Sequence, residues 1–186
     1  HKMSSFWRGT SEKKLASAEV ELFKHTGLSE GDYKSYPVEF EFSKADWQDQ
    51  DDDEFEEDKT PDDKPCQKAT DMQKKGKKNK EAKKSAVKTE YIWTIEMGHH
   101  NETNLVVIHG YGGSGMIFYK MFRELSEHFH VYFIDLLGMG RSSRGDFECA
   151  TFGECERYFV NSIDKWRAAV GLETMNLMGH SFGGYV

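Results

Sequence analysis

The feature that most restricts this chain is a short, mostly apolar run ending in glycines clustered around one serine. Met175-Asn176-Leu177-Met178 leads directly into Gly179-His180-Ser181-Phe182-Gly183-Gly184. A strand that becomes a helix within so few residues must turn sharply. The residue at the tip is pushed toward a strained backbone conformation, which persists only where its surroundings enforce it. A side chain at position 179 or 183 would collide with the neighbouring strand or helix, so glycine is required there. Ser181 is left standing at the tip. This is the pattern of a nucleophilic serine on a Gly-x-Ser-x-Gly elbow, and its strand-to-helix context is the one such an elbow needs.

The segments upstream supply the sheet that an elbow grows from. Leu105-Val106-Val107-Ile108 and Val131-Tyr132-Phe133-Ile134 are all-apolar runs, as expected of strands buried on both faces of a parallel sheet. Thr89 to Met97 alternates and predicts a further strand. Met116 to His128 predicts a helix with Phe118, Met121, Phe122 and Leu125 inward. Phe152 to Val170 predicts another, with Phe159, Ile163, Trp166 and Val170 on one face. Strands alternating with helices in this order predict an α/β fold. Its sheet is mostly parallel, helices cover both faces, and the crossovers are right-handed.

A second Gly-rich turn, His109-Gly110-Tyr111-Gly112-Gly113, follows a buried strand some seventy residues before the serine. In a fold with such an elbow, this loop gives one oxyanion donor and the residue after the nucleophile gives the other. The expected donors are the N–H groups of Tyr111 and Phe182. His109 reads as a structural member of its loop. His180 reads as packing, because adjacent residues at a sharp turn point apart. Asp135 ends a strand and reads as a brace for the loop that follows. The chain order of such triads is serine, acid, histidine, so the acid and base are expected beyond Val186. The chain therefore reads as the N-terminal part of the fold, truncated after the elbow and inactive by itself. No metal or cofactor is expected. Cys66, Cys149 and Cys155 form no CxxC pattern.

The organisation before the sheet is uneven. Residues 1–36 read as an N-terminal helical segment, with Leu15, Ala18 and Leu22 at helical spacing. Phe6 and Trp7 beside Arg8 would either seat at a membrane interface or pack on the core. Residues 37–42 alternate as a first strand. Residues 43–88 carry an acidic and then a basic block: Asp46 to Asp63 holds eleven acidic residues and one lysine, and Lys64 to Lys88 holds ten lysines and two acids. Charge without periodicity predicts a disordered insertion there, and residues 89–186 read as the partial catalytic domain. The overall charge of −7 hides these opposed blocks and does not point to nucleic acid. No apolar run is long enough to span a bilayer.

Four stretches together carry a resemblance to a known group. They are His109 to Gly113, then Asp135-Leu136-Leu137-Gly138-Met139-Gly140-Arg141-Ser142-Ser143-Arg144, then Phe159-Val160-Asn161-Ser162-Ile163-Asp164-Lys165-Trp166-Arg167, and finally Gly179 to Val186. The chain resembles the α/β-hydrolase domain-containing protein 4/5 family of lipase co-activators and lysophospholipid acyltransferases. The resemblance covers Tyr91 to Val186 and extends faintly over Phe6 to Leu28. It implies hydrolysis of lipid acyl esters or amides, or acyl transfer to a lysophospholipid. It also implies a cytoplasmic protein, peripheral on a lipid droplet or membrane surface. Some members of that family carry Asn at the nucleophile position and act as co-activators; with Ser181, this chain looks like the hydrolase-competent branch. The alternatives are a non-catalytic lipid-droplet or membrane adaptor, and a soluble small-ester hydrolase.

Overall fold

The structure, a computed structural model, describes residues 11–48, 87–145 and 147–186. The Phe6-Trp7-Arg8 start, Cys66, the lysine run at 74–80 and most of the charged insertion lie outside the described residues. Residues 43–48, expected to be disordered, are instead ordered: Ser43 and Asp46 form a capping box on a 3₁₀ turn, Lys44–Asp46, and Trp47 is buried against Tyr158.

Five strands form one mixed sheet. They are β1 (Tyr33–Phe42), β2 (Lys88–Met97), β3 (Asn104–Ile108), β4 (His130–Ile134) and β5 (Asn176–Gly179), in the order β1-β2-β4-β3-β5. β3 lies parallel to both β4 and β5, while β1–β2 and β2–β4 are antiparallel. The first strand is longer than its alternating core suggested, because Tyr33 to Tyr36 continue the ladder opposite Met97 to Thr94.

The all-apolar strands are explained by the two faces. Val106, Ile108, Tyr132 and Ile134 point to one side, where the helix α3 (Phe152–Val170) supplies Tyr158, Phe159, Ile163 and Trp166. Leu105, Val107, Val131 and Phe133 point to the other. There they meet Phe23 of α1 (Glu12–Phe23), Phe122 of α2 (Phe122–His128), and Met116 and Phe118. Both faces must be apolar because both are covered.

Local chemistry sets the helix ends. Thr151 and Glu154 form a reciprocal capping box at the start of α3, and Gly171, at φ 82°, closes its end in the left-handed conformation. Trp166 is buried by this packing and donates its indole N–H to Thr94 Oγ1 at 2.8 Å, so the large ring leaves no polar group unsatisfied. The helix expected from Met116 instead begins as a 3₁₀ segment, Gly115–Met121, and becomes α-helical only at Phe122. Ser114 makes no side-chain cap. The entry is set from the sheet, since the Gly115 N–H is held by Asp135 and a Cβ at Gly115 would lie 3.0 Å from that of Phe133.

α1 departs from its sequence pattern. Leu15 and Leu22 are only half-buried and Ala18 is exposed, whereas Glu19 and Phe23 are buried. The Glu19 carboxylate pairs with Arg141 at 3.0 Å and accepts from Ser35 Oγ and Trp93 Nε1. Arg141 in turn lies over the Trp93 ring, 3.5 Å from its centroid. A charged residue thus docks the helix. Among the described residues no helix is long and apolar enough to cross a membrane.

Candidate active site

Parallel pairing brings the C-terminal ends of β3, β4 and β5 to one end of the sheet, with Ile108 opposite both Ile134 and Gly179. From β3 the chain passes to β4 on one side and later to β5 on the other. The gap between the ends of β3 and β5 is therefore a topological switch point, where open α/β sheets leave a crevice. The loop from His109 and the turn from Gly179 both open into it.

Ser181 is the only non-glycine residue with positive φ among the described residues, at 54°. That conformation costs an ordinary side chain about 1–2 kcal/mol. The surroundings enforce it. A Cβ at Gly179 would lie 2.2 Å from the Gly183 carbonyl oxygen, and one at Gly183 would lie 2.5 Å from Ile108 O and 2.6 Å from His109 O. The His180 N–H donates to Ile108 O at 3.0 Å and the Gly183 N–H returns to His180 O at 3.0 Å, closing the turn. The chain leaves through a 3₁₀ turn, Ser181–Gly184. Ser181 itself is exposed.

The two glycine turns touch. A Cβ at Gly110 would sit 3.2 Å from Ser181 Cβ, and the rings of Tyr111 and Phe182 meet edge to face at 6.3 Å. The Tyr111 and Phe182 N–H groups donate to no acceptor among the described residues. Ser181, Tyr111 and Phe182 are thus brought together, with two amides uncommitted beside one exposed hydroxyl. An apolar furrow lined by Phe152, Cys155, Phe159, Phe182 and Tyr185 runs off beside Phe182.

Of the nearby titratable groups, His109 and Asp135 are committed to other bonds. His109 is fully buried; its Nε2 accepts the Leu136 N–H at 2.9 Å and its Nδ1 lies 2.6 Å from Gly110 O. Burial lowers its pKa, opposed by the bond to Gly110. His180 turns its ring edge-on to Phe118. Asp135 accepts from the amides of Gly115 and Arg141 at 2.6 and 2.7 Å. Burial pushes its carboxyl up to about 6 against those two donors, with Glu19 raising it and Arg141 lowering it. No His, Cys, Asp or Glu cluster able to hold a metal ion occurs among the described residues. Sequence reasoning missed the Leu136 amide, since a main-chain donor in a loop leaves no signature in residue type.

This geometry has known counterparts. Residues 103–186 match the family described as alpha/beta hydrolase fold. The chain has the α/β-hydrolase fold. It is similar to the α/β-hydrolase domain-containing protein 4/5 family. The 1-acylglycerol-3-phosphate O-acyltransferase ABHD5 of Homo sapiens is 44% identical over 97 residues, covering 51% of this chain and 28% of that protein. A (lyso)-N-acylphosphatidylethanolamine lipase of Mus musculus is 40% identical over 97 residues, with the same coverage of 51% and 28%. The chain therefore spans little more than a quarter of the length of the curated relatives it matches. A crystal structure of a membrane phospholipase A, a bacterial virulence factor, shares the fold, with TM-score 0.52 and 22% identity over 93% of this chain and 38% of that one.

Proposed function

We propose that Ser181 is the nucleophile of an acyl hydrolase or acyltransferase acting on lipid acyl esters or amides. The observation that carries this is the strained, exposed Ser181 beside two uncommitted amides, those of Tyr111 and Phe182. The relatives named above as an acyltransferase of 1-acylglycerol-3-phosphate and as an N-acylphosphatidylethanolamine lipase support a lipid substrate. The apolar furrow at Phe182 would take the first carbons of the acyl chain. Phe6 and Trp7 beside Arg8 would seat the protein at a membrane or droplet surface.

In this reading Ser181 Oγ bonds to the acyl carbonyl carbon while its proton passes to a histidine. The carbonyl oxygen becomes an oxyanion facing the Tyr111 and Phe182 N–H groups, where each donor contributes roughly a hundredfold in rate. The ester C–O bond then breaks and the leaving alkoxide takes the proton from the histidine. Water or a lysophospholipid hydroxyl attacks the acyl-enzyme by the reverse steps, freeing Ser181. The histidine and its acid follow the nucleophile in this chain order.

A fluorophosphonate probe on the full-length protein tests the reading. Labelling that maps to Ser181 and vanishes in Ser181→Ala is expected. A folded full-length protein that stays unlabelled would instead favour a non-catalytic adaptor at a lipid surface.

A further inference from the structure

The loop that carries Tyr111 is fastened at both ends to the segment after β4. At its start, Gly110 O can only accept, so His109 Nδ1 must carry the hydrogen; the Leu136 N–H can only donate, so Nε2 must be bare. The ring is therefore held as one neutral tautomer, with no nitrogen left over. At the far end of the loop, Asp135 Oδ1 accepts the Gly115 N–H, and Oδ2 accepts the Arg141 N–H of its own loop. Asp135 and Leu136 are consecutive, so both anchors come from one point of the sheet. Between the anchors the Gly113 N–H closes a turn on Gly110 O at 3.0 Å. Tyr111 sits inside that turn. Gly140 is fitted to the same brace, since a Cβ there would lie 2.1 Å from Asp135 Oδ2.

We infer that His109 and Asp135 are positioning residues, which aim the Tyr111 N–H at the oxyanion through the frame of the 109–115 loop without touching substrate. This rests on the reading of Tyr111 as an oxyanion donor. It goes beyond that reading by assigning two buried polar groups to the quality of the donor's aim. A brace of this kind acts only when charge develops on the carbonyl oxygen. Loosening it should lower kcat and leave KM alone, since a donor displaced by a fraction of an ångström still admits substrate.

The test uses the full-length protein and a chromogenic acyl ester. Asp135→Asn keeps the shape but turns an NH₂ group toward one of the two amide donors. Its kcat should fall about tenfold or more, with KM within about twofold. Tyr111→Pro deletes the donor itself and should cost roughly a hundredfold in kcat. On that background Asp135→Asn should cost less than about threefold further, because the group it aims is gone. His109→Asn, too short to reach the Leu136 amide, is the second variant and should behave in the same way. A trifluoromethyl ketone that forms a tetrahedral adduct should bind Asp135→Asn and His109→Asn about tenfold more weakly, while an ether analogue of the substrate binds equally well. Equal losses with and without Tyr111→Pro would overturn the inference, as would unchanged kcat in both folded variants. Fluorophosphonate labelling of the wild type separates the two claims. Labelled Ser181 with additive losses sinks only the positioning role; unlabelled Ser181 sinks the hydrolase reading and this inference with it.

Discussion

The two ends of the sheet use polar side chains in opposite ways. At the site end, His109 and Asp135 bond to main-chain amides of Leu136, Gly115 and Arg141. Loops are fixed there, and two further amides are left open. At the far end, side chains bond to one another. Glu96 accepts from Tyr36 Oη at 2.6 Å and lies 2.8 Å from His130 Nε2, tying β1, β2 and β4 together. The two carboxylates differ accordingly. Burial raises Asp135 to about 6. Burial also acts to raise Glu96, but the bonds from Tyr36 and His130 and the charge of Lys34 outweigh it and hold Glu96 below the ordinary value. A side-chain cluster stabilises its own charge and locks strands. A brace of loop amides spends a buried carboxylate on geometry. The contrast suggests that one end is built for stability and the other for placement.

The largest expected effect comes from Gly183→Ala, whose Cβ would press on two backbone oxygens. It should destabilise the full-length protein by about 3 kcal/mol and abolish Ser181 labelling even where the protein is folded. Gly98→Ala is its far-end counterpart, with φ 70° and a Cβ 2.2 Å from Phe129 O. It should cost about as much in thermal stability, about 3 kcal/mol, yet leave labelling per folded molecule unchanged. Loss of labelling there would break the comparison.

The pH dependence sharpens it. Asp135 has a raised pKa, so its contribution to stability is fullest below the ordinary value of 3.8 and is lost as pH rises through about 6. Glu96 has a lowered pKa, so its contribution is present above the ordinary value of 4.5 and is lost as pH falls below it. Urea denaturation across pH 3 to 7 should therefore show Asp135→Asn and Glu96→Gln changing the slope in opposite senses. The same sign for both would refute the assignment. The smallest effect is expected at the α3 cap, where Thr151 accepts the Glu154 N–H. Thr151→Ala should cost about 1 kcal/mol by denaturation, with no change in labelling.

What could be read from the sequence divides along physical lines. The elbow and the His109 loop were legible because hard sterics demand glycine at fixed spacing, and Gly179 and Gly183 meet backbone atoms as that argument requires. The buried strands were legible because both their faces are covered. Glu19 was not, since a carboxylate on a surface helix reads as solvated until Arg141, Trp93 and Ser35 are found around it, each far away in sequence. The start of β1 was missed because Tyr33 to Tyr36 are held by pairing with β2 rather than by an alternating apolar face. Nor could sequence separate the 3₁₀ entry at Gly115 from a regular helix, because a contact with Asp135 decides it.

The most direct measurement is a crystal structure of the full-length protein after reaction with an alkyl fluorophosphonate. Phosphorus bonded to Ser181 Oγ, with its free oxygen about 3 Å from both the Tyr111 and Phe182 nitrogens, is the predicted result. An adduct on another residue, or a phosphonyl oxygen turned away from those amides, would contradict the account.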